Sequence, residues 1–250
     1  IAVSDMGEQR IGYINHATDD LKSASKSGST WTIETVATTE TVGDYTSLQL
    51  DSQGNPHIAF YDWDTGDLLY TRKSGAIWIQ ETADGSADDS GYFLSMVLDY
   101  LDQPHISYFD LTNNRLRYTT KSGGVWTDVT VDDTDADIGW FPGIGRDAAG
   151  HPRTCYYDAF YGDLTYARKV AGTWELLYVD IDLHDVGQYS SLAVDGAGQP
   201  HMSYYSLGGP LLYAVGPAEL VGVAESGAAG PSHLALYPNP SLGGRVKIRL

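Results

Sequence analysis

Carboxylates in loops are the first chemistry this sequence offers. The segment Asp62-Trp-Asp-Thr-Gly-Asp67 sets Asp62, Asp64 and Asp67 close together. These are hard oxygen donors of the kind that Ca2+ collects in sets of about six to eight. The spacing resembles a calcium loop but lacks its closing Glu, so Ca2+ is the one cofactor the pattern admits and no cofactor is required. Histidine offers proton transfer near neutral pH. His184 sits between Asp182 and Asp185 in an acidic stretch, which makes these three the candidates for general acid or base work. His57, His105 and His201 recur at one repeat position, with Arg10 and Arg153 standing there in the other copies. A catalytic group is needed once, so the recurring histidines read as architectural, each hydrogen-bonded to the strand-end Asp before it. Glycoside hydrolysis needs two carboxyls about 5 to 9.5 Å apart, but Asp is too abundant here for spacing alone to select a pair. No nucleophile elbow, zinc helix, phosphate loop or dinucleotide fingerprint occurs. Cys155 lies between Thr154 and Tyr156 in a strand pattern, away from any base, and reads as packed and inert.

The elements that position these residues repeat. Asp62, Asp110, Asp158 and Ser206 are 48 residues apart, as are Pro56, Pro104, Pro152 and Pro200. Trp78, Trp126 and Trp174 keep the same 48-residue step, with Trp31 47 residues before Trp78. Each unit reads as four short strands bounded by Gly, Pro, Asn and Asp turns. In the second copy these fall near 47–51, 56–62, 68–73 and 78–82. Four antiparallel strands per unit at this period match a propeller blade. A lone unit could not bury both faces, whereas stacked units can. The expected fold is therefore all-β, a five-bladed β-propeller over residues 1–225. Its blades run about 1–42, 43–90, 91–138, 139–186 and 187–225. The first copy starts inside its first strand, which reads as a processed or truncated chain, and further blades could precede it. Residues 226–232 form a Gly/Ala/Ser linker. Arg146 stands where Leu50, Leu98 and Val194 stand in other copies, and a guanidinium there calls for an acid across a blade interface.

Blade topology sorts the loops. Second-to-third-strand turns and blade-to-blade connections share one face, and they carry most of the acid: Asp19, Asp20, Asp62, Asp64, Asp67, Asp84, Asp88, Asp89, Asp110, Asp132, Asp133, Asp135, Asp137, Asp158, Asp163, Asp180, Asp182 and Asp185. The other face receives Lys26, Lys73, Lys121 and Lys169. Aromatics crowd the acidic face. Tyr45, Phe93, Phe141 and Tyr189 repeat and are expected to pack blade on blade. Trp63, Trp140 and Tyr161 break the repeat and, with Tyr92, are expected to meet a ligand. Rings cover the apolar face of a sugar while carboxylates accept its hydroxyl protons. A saccharide is thus the expected ligand, held by Trp140, Trp63, Tyr161, Tyr92, Asp62, Asp110 and Asp158. A polysaccharide-active hydrolase or lyase on the same face, and a structural or adhesive repeat, are the competing readings.

Composition narrows the partners. With 33 acidic and 15 basic residues the formal charge is −18, which repels nucleic-acid phosphates and anionic lipid. No apolar run approaches a membrane span, and one cysteine excludes an internal disulfide framework. A monomer is expected.

Two resemblances add to this reading. The units resemble the Pro-His-Ile-x-Tyr-Tyr-Asp propeller repeats of bacterial exported proteins over residues 1–215, which implies fold rather than activity. Residues 233–250, with Leu236-Tyr-Pro-Asn-Pro240 followed by a Gly turn and an alternating strand, resemble the start of the C-terminal sorting domains of bacterial type nine secretion and the related FlgD-like modules. That resemblance implies a secreted or cell-surface bacterial protein.

Overall fold

The structure is a computed structural model that describes residues 1–4, 6–37, 42–134, 137–181 and 185–216, without the side chains of residues 42–44. The 226–232 linker, the 233–250 tail, Asp135, Asp182 and His184 lie outside the described residues.

The described residues form five antiparallel sheets with strands in chain order. The first holds β1 (Ala2–Val3), β2 (Gln9–Asn15), β3 (Asp20–Ser27) and β4 (Thr30–Ala37). The second holds β5 (Val42–Leu50), β6 (Pro56–Asp62), β7 (Asp67–Ser74) and β8 (Ile77–Asp84). The third holds β9 (Ser90–Leu98), β10 (Pro104–Asp110), β11 (Arg115–Ser122) and β12 (Val125–Asp132). The fourth holds β13 (Ile138–Arg146), β14 (Pro152–Asp158), β15 (Asp163–Val170) and β16 (Thr173–Asp180). The fifth shows β17 (Val186–Val194), β18 (Pro200–Ser206) and β19 (Leu211–Val215). The four-strand unit expected from the repeat is thus present in four sheets, and three of its strands in the last. The chain divides into two compact units: Ile1–Asn113 with Arg117–Val129, and Asn114–Leu116 with the described residues from Thr130 onward.

Burial explains the strand sequences. The second strands β6, β10 and β14 are buried along their whole length. A strand covered on both faces loses the apolar/polar alternation of a half-buried one. The fourth strands are exposed at their starts, at Thr30, Ile77, Val125 and Thr173. Four of the second strands, β6, β10, β14 and β18, open on Pro, whose missing N–H is tolerated at a strand start, while β2 opens on Gln9.

Sheets pack through a repeated polar bond that the sequence reading did not anticipate. In the first unit the Tyr108 hydroxyl donates to Asp84 at 2.6 Å. In the second, Tyr156 donates to Asp132 at 2.5 Å and Tyr204 to Asp180 at 2.8 Å. Each Tyr is the fifth residue of a second strand, and each Asp is the last residue of the preceding sheet's fourth strand. Between the first two sheets the same places hold Phe60 and Ala37, both buried in one apolar cluster. Both partners have changed together, so neither polar group is left without its mate.

The start of each first strand is irregular. The β9–β10, β13–β14 and β17–β18 ladders each contain two register shifts there. Gly139 at φ +103° and Gly187 at φ +110° belong to these bulges. A Cβ on Gly139 would lie 2.7 Å from Leu116 backbone atoms, and one on Gly187 2.9 Å from the Leu164 Cα. Two residues further on, Phe93, Phe141 and Tyr189 hold left-handed backbones at φ 51°, 51° and 53°. Bulges of this kind re-aim side chains at the end of a sheet.

Candidate functional site

In the first unit the chain brings five rings together at the β6–β7 end of the second and third sheets. Tyr61 lies 5.2 Å from Trp63 and 4.6 Å from Tyr92, centroid to centroid. Trp63 and Tyr92 are 5.4 Å apart, edge to face. Tyr45 lies 5.3 Å from Tyr92 and 4.7 Å from Phe93. These spacings are those of favourable aromatic pairs. Tyr92 is buried beneath, while Trp63 keeps 42% of its surface in solvent. The Tyr61 hydroxyl donates to Asp89 Oδ1 at 2.5 Å. Burial and the adjacent Asp89 carboxylate push the Tyr61 phenol well above its ordinary range, so it stays a neutral donor. Two of the sequence candidates, Trp63 and Tyr92, therefore share one surface with a carboxylate beside it.

Asp89 was legible only as one loop acid among many. Its place in the loop recurs as Asp137 and Asp185, and each holds a polar side chain. Trp140 Nε1 donates to Asp137 Oδ1 at 2.6 Å, and Gln188 Nε2 lies 3.4 Å from both Asp185 oxygens. Backbone bonds fix the same loops. Leu111, Ala159 and Leu207 donate to the carbonyls of Asp89, Asp137 and Asp185 at 2.8, 3.0 and 2.8 Å. Within each unit these bonds tie the connections between sheets to the turns between second and third strands.

The second unit has a smaller aromatic set. Phe141 and Tyr189 lie 4.3 Å apart, and Tyr189 is 66% exposed. Phe160 and Tyr161 meet edge to face at 4.8 Å, both exposed. Trp140 is half-buried and committed to Asp137. Asp185, one of the acid–base candidates, is half-buried beside Gln188. Burial first, then Asp185, pushes the Tyr157 phenol up to about 12.

Asp62, Asp110 and Asp158 stand at the second-strand ends and turn inward. Asp62 accepts the Asp64 N–H at 3.0 Å, and Asp110 accepts the Asn113 N–H and side-chain amide at 3.0 and 2.9 Å. Asp158 accepts the N–H groups of Phe160 and Tyr161 at 3.0 and 3.2 Å. All three are buried, as turn-closing Asx residues should be. Nor do Asp62, Asp64 and Asp67 converge as calcium ligands: Asp62 is turned onto the turn backbone, Asp64 is exposed, and Asp67 lies partly buried across the hairpin. Among the described residues no three His, Cys, Asp or Glu side chains gather as a metal would need. In the fourth sheet burial, with Asp158 and Asp180 nearby, pushes the Asp163 carboxyl up to about 6.

The recurring histidines sit at the opposite strand ends, each beside the strand-end Asp expected of it, but only His201 comes within hydrogen-bond distance of its Asp. His57 Nε2 lies 3.6 Å from Asp51, His105 3.6 Å from Asp99, and His201 3.4 Å from Asp195. Each ring also bonds a Tyr hydroxyl: Tyr70 for His57 at 2.5 Å, Tyr118 for His105 and Tyr213 for His201. In the fourth sheet Arg153 replaces His and bridges Asp147 at 3.0 Å and Tyr166 at 3.1 Å. Burial holds the His57 ring below its usual range in spite of Asp51. The lysines of this end lie over tryptophans, 5.6 to 5.9 Å from the ring centroids in all four sheets that carry the pair. Arg146 is a half-buried strand-end residue paired with Pro152 in the ladder. Cys155 is fully buried, its thiol pushed up to about 11.

No protein-family model matches the chain, and no curated protein matches it in sequence. Solved structures do. The chain is similar to the Aleuria aurantia lectin in complex with Fucα1-6GlcNAc, with a TM-score of 0.62 at 15% identity, covering 85% of this chain and 73% of the lectin. It is similar to an ulvan lyase of a polysaccharide-lyase family, bound to a GlcA–Rha3S glycan, with a TM-score of 0.60 at 12% identity, over 94% of this chain and 68% of the lyase. It also resembles the leech intramolecular trans-sialidase, with a TM-score of 0.54 at 14% identity, over 79% of this chain but only 36% of that enzyme. At these identities the likeness is one of fold. The chain is an all-β protein of repeated antiparallel sheets, compatible with a propeller-like fold.

Proposed function

We propose that the chain is a five-bladed β-propeller, residues 1–225, that binds saccharides at the aromatic surface of Tyr45, Tyr61, Trp63, Tyr92 and Phe93. The observation that carries this is the half-exposed Trp63 ring standing over buried Tyr61 and Tyr92 beside the Asp89 carboxylate. An indole face offers apolar area for the C–H face of a pyranose, and the Asp89 oxygen not held by Tyr61 accepts a sugar hydroxyl proton. Tyr161 and Phe160 form a second, separate patch of the same character. The saccharide complexes of the lectin and the lyase support the ligand class. The Leu236–Pro240 segment, read as the start of a sorting-type domain after a 226–232 linker, supports export to the bacterial surface or medium. Binding without turnover is the favoured reading, because the acids nearest the described aromatic surfaces are engaged with neighbouring side chains or backbone.

The test is a glycan array on the intact chain, with and without chelator, repeated with Trp63→Ala. Binding of one glycan class that falls at least tenfold in the variant supports the proposal. Flat arrays with folded protein overturn it. Loss of binding on chelation brings Ca2+ back, and release of reducing ends would convert the module into a glycan-active enzyme.

A further inference from the structure

An asymmetry between the repeats lies at the other end of the second sheet. Arg72 on β7 and Arg168 on β15 occupy the same register position. Arg168 faces Glu175 across the β15–β16 ladder and bonds it through both Nε and a terminal nitrogen at 2.8 Å. Arg72 faces Ile79 in the equivalent β7–β8 pair. Its guanidinium makes no hydrogen bond or ion pair with any described residue and meets the Glu81 carboxylate, already bonded to Lys121 and Trp126, only at longer range, yet it is half-buried. A partly desolvated guanidinium that lacks its carboxylate is an anion site awaiting a ligand.

Arg72 lines a cavity of about 320 Å³ together with His57, Tyr70, Lys121, Gln103 and the Gly123–Gly124 turn. That is near the lower end of the roughly 300 to 1,000 Å³ of small-molecule sites. Neither glycine would bring a Cβ within 4 Å of any atom, so the mouth is open. Two acids also line the cavity; hydrogen bonds from neutral neighbours leave their charge in place but turn their oxygens to the flanking loops. Asp51 accepts the N–H groups of Gln53 and Asn55 and the Asn55 amide at 2.7 to 2.9 Å. Asp102, at φ 59° where Gly54 and Gly150 stand in other copies, accepts the Ser52 N–H and hydroxyl at 2.8 and 2.6 Å. Lys121 is paired with Glu81. The donor left over is Arg72. The acidic charge of the rest of the chain is screened beyond about 8 Å at physiological salt.

We infer that this cavity binds an acidic sugar, with Arg72 gripping its anionic group, a carboxylate or a sulfate ester. Gln103 and the Tyr70–His57 pair form the polar wall that meets the ring hydroxyls. Arg72 and Trp63 lie toward opposite ends of the second sheet, so this site is separate from the aromatic surface.

The experiment is heteronuclear NMR titration and calorimetry of the intact chain with digalacturonate, a sulfated galactose disaccharide and neutral digalactose, to about 10 mM, enough to detect a millimolar Kd. An acidic probe should bind at least tenfold more tightly than the neutral one and shift the amides of Gln103, Gly123 and Gly124. Binding of only the uronate or only the sulfate identifies the anion. Arg72→Met should abolish the preference. So should Ile79→Glu, which keeps Arg72 but supplies the cross-strand partner that Arg168 has. Trp63→Ala should leave it intact, so failure at one site is not failure at the other. Equal or absent binding of all three probes, or unchanged acidic preference in folded Arg72→Met or Ile79→Glu protein, overturns the inference.

Discussion

The Tyr–Asp bonds between sheets can be tested against the chain's own exception. Tyr156 is fully buried and donates to Asp132 at 2.5 Å, and Asp132 otherwise holds the Thr134 N–H and hydroxyl. Tyr156→Phe removes one bond to a buried charge, a loss of roughly 1.5 to 3 kcal/mol. Asp132→Ala strands a buried phenol, empties space and removes the Thr134 cap, about 2 to 4 kcal/mol together. The double variant reproduces the chemistry of Phe60 over Ala37, in which neither group has an unmet demand. Its destabilisation should fall short of the sum of the singles by about 1.5 to 2 kcal/mol, the coupling expected of residues in direct contact. Urea unfolding at pH 7 followed by tryptophan fluorescence, with midpoint shifts compared across the cycle, measures this. Additivity within about 0.5 kcal/mol would refute the claim that the pair acts as a unit.

Other consequences are open to simpler tests. The Asp163 carboxyl is raised in the folded state from 3.8 to about 6 by burial and by Asp158 and Asp180. Its charged form therefore opposes folding, by nothing below the unfolded value and by a growing amount as pH rises through that interval. Asp163→Asn should stabilise the protein by roughly 1 kcal/mol at pH 7.5, after allowance for solvent screening, and have no effect near pH 3.5; thermal melts at the two pH values decide. Gly139→Ala should cost more than about 2 kcal/mol in urea, because it adds a Cβ 2.7 Å from Leu116 at a positive φ. The same substitution at Gly123, which meets open space, serves as its control, with only the smaller cost of its φ of 58°. Trp63→Ala, at a half-exposed ring, should shift the melting temperature by under about 4 °C while removing glycan binding, so a large stability loss would recast Trp63 as core.

The strand grammar was legible because Pro, Trp and Asp recur at one step and each marks a strand start, a Lys–Trp pair or a turn. The roles of the acids were less so. Asp62, Asp110 and Asp158 look like ligands in a sequence, since a turn-capping carboxylate and a ligating one share a residue type and a loop. Only the N–H groups aimed at them tell the two apart. Asp89 was hidden for the opposite reason, as one acid in a run, distinguished by the Tyr61 hydroxyl 28 residues earlier in the chain. The Tyr–Asp bonds did leave a trace. The copy that exchanges Tyr for Phe at position 60 follows the copy that exchanges Asp for Ala at position 37, but recognising the pair requires knowing which strand ends meet.

Repeats within one chain let each copy serve as the control for the others. Where both members of a contact change together, as from Tyr108–Asp84 to Phe60–Ala37, the interface keeps its polar groups matched and the exchange concerns packing alone. Where one member changes and the other stays, as from Arg168–Glu175 to Arg72–Ile79, a partly desolvated charge is left without its cross-strand mate. That is a local cost which folding by itself gives no reason to retain, because an uncharged residue at position 72 would avoid it. The Tyr–Asp and Phe–Ala contacts between sheets come in matched pairs. A half-exchanged pair facing a cavity is therefore the place where a molecule from outside the chain completes the match.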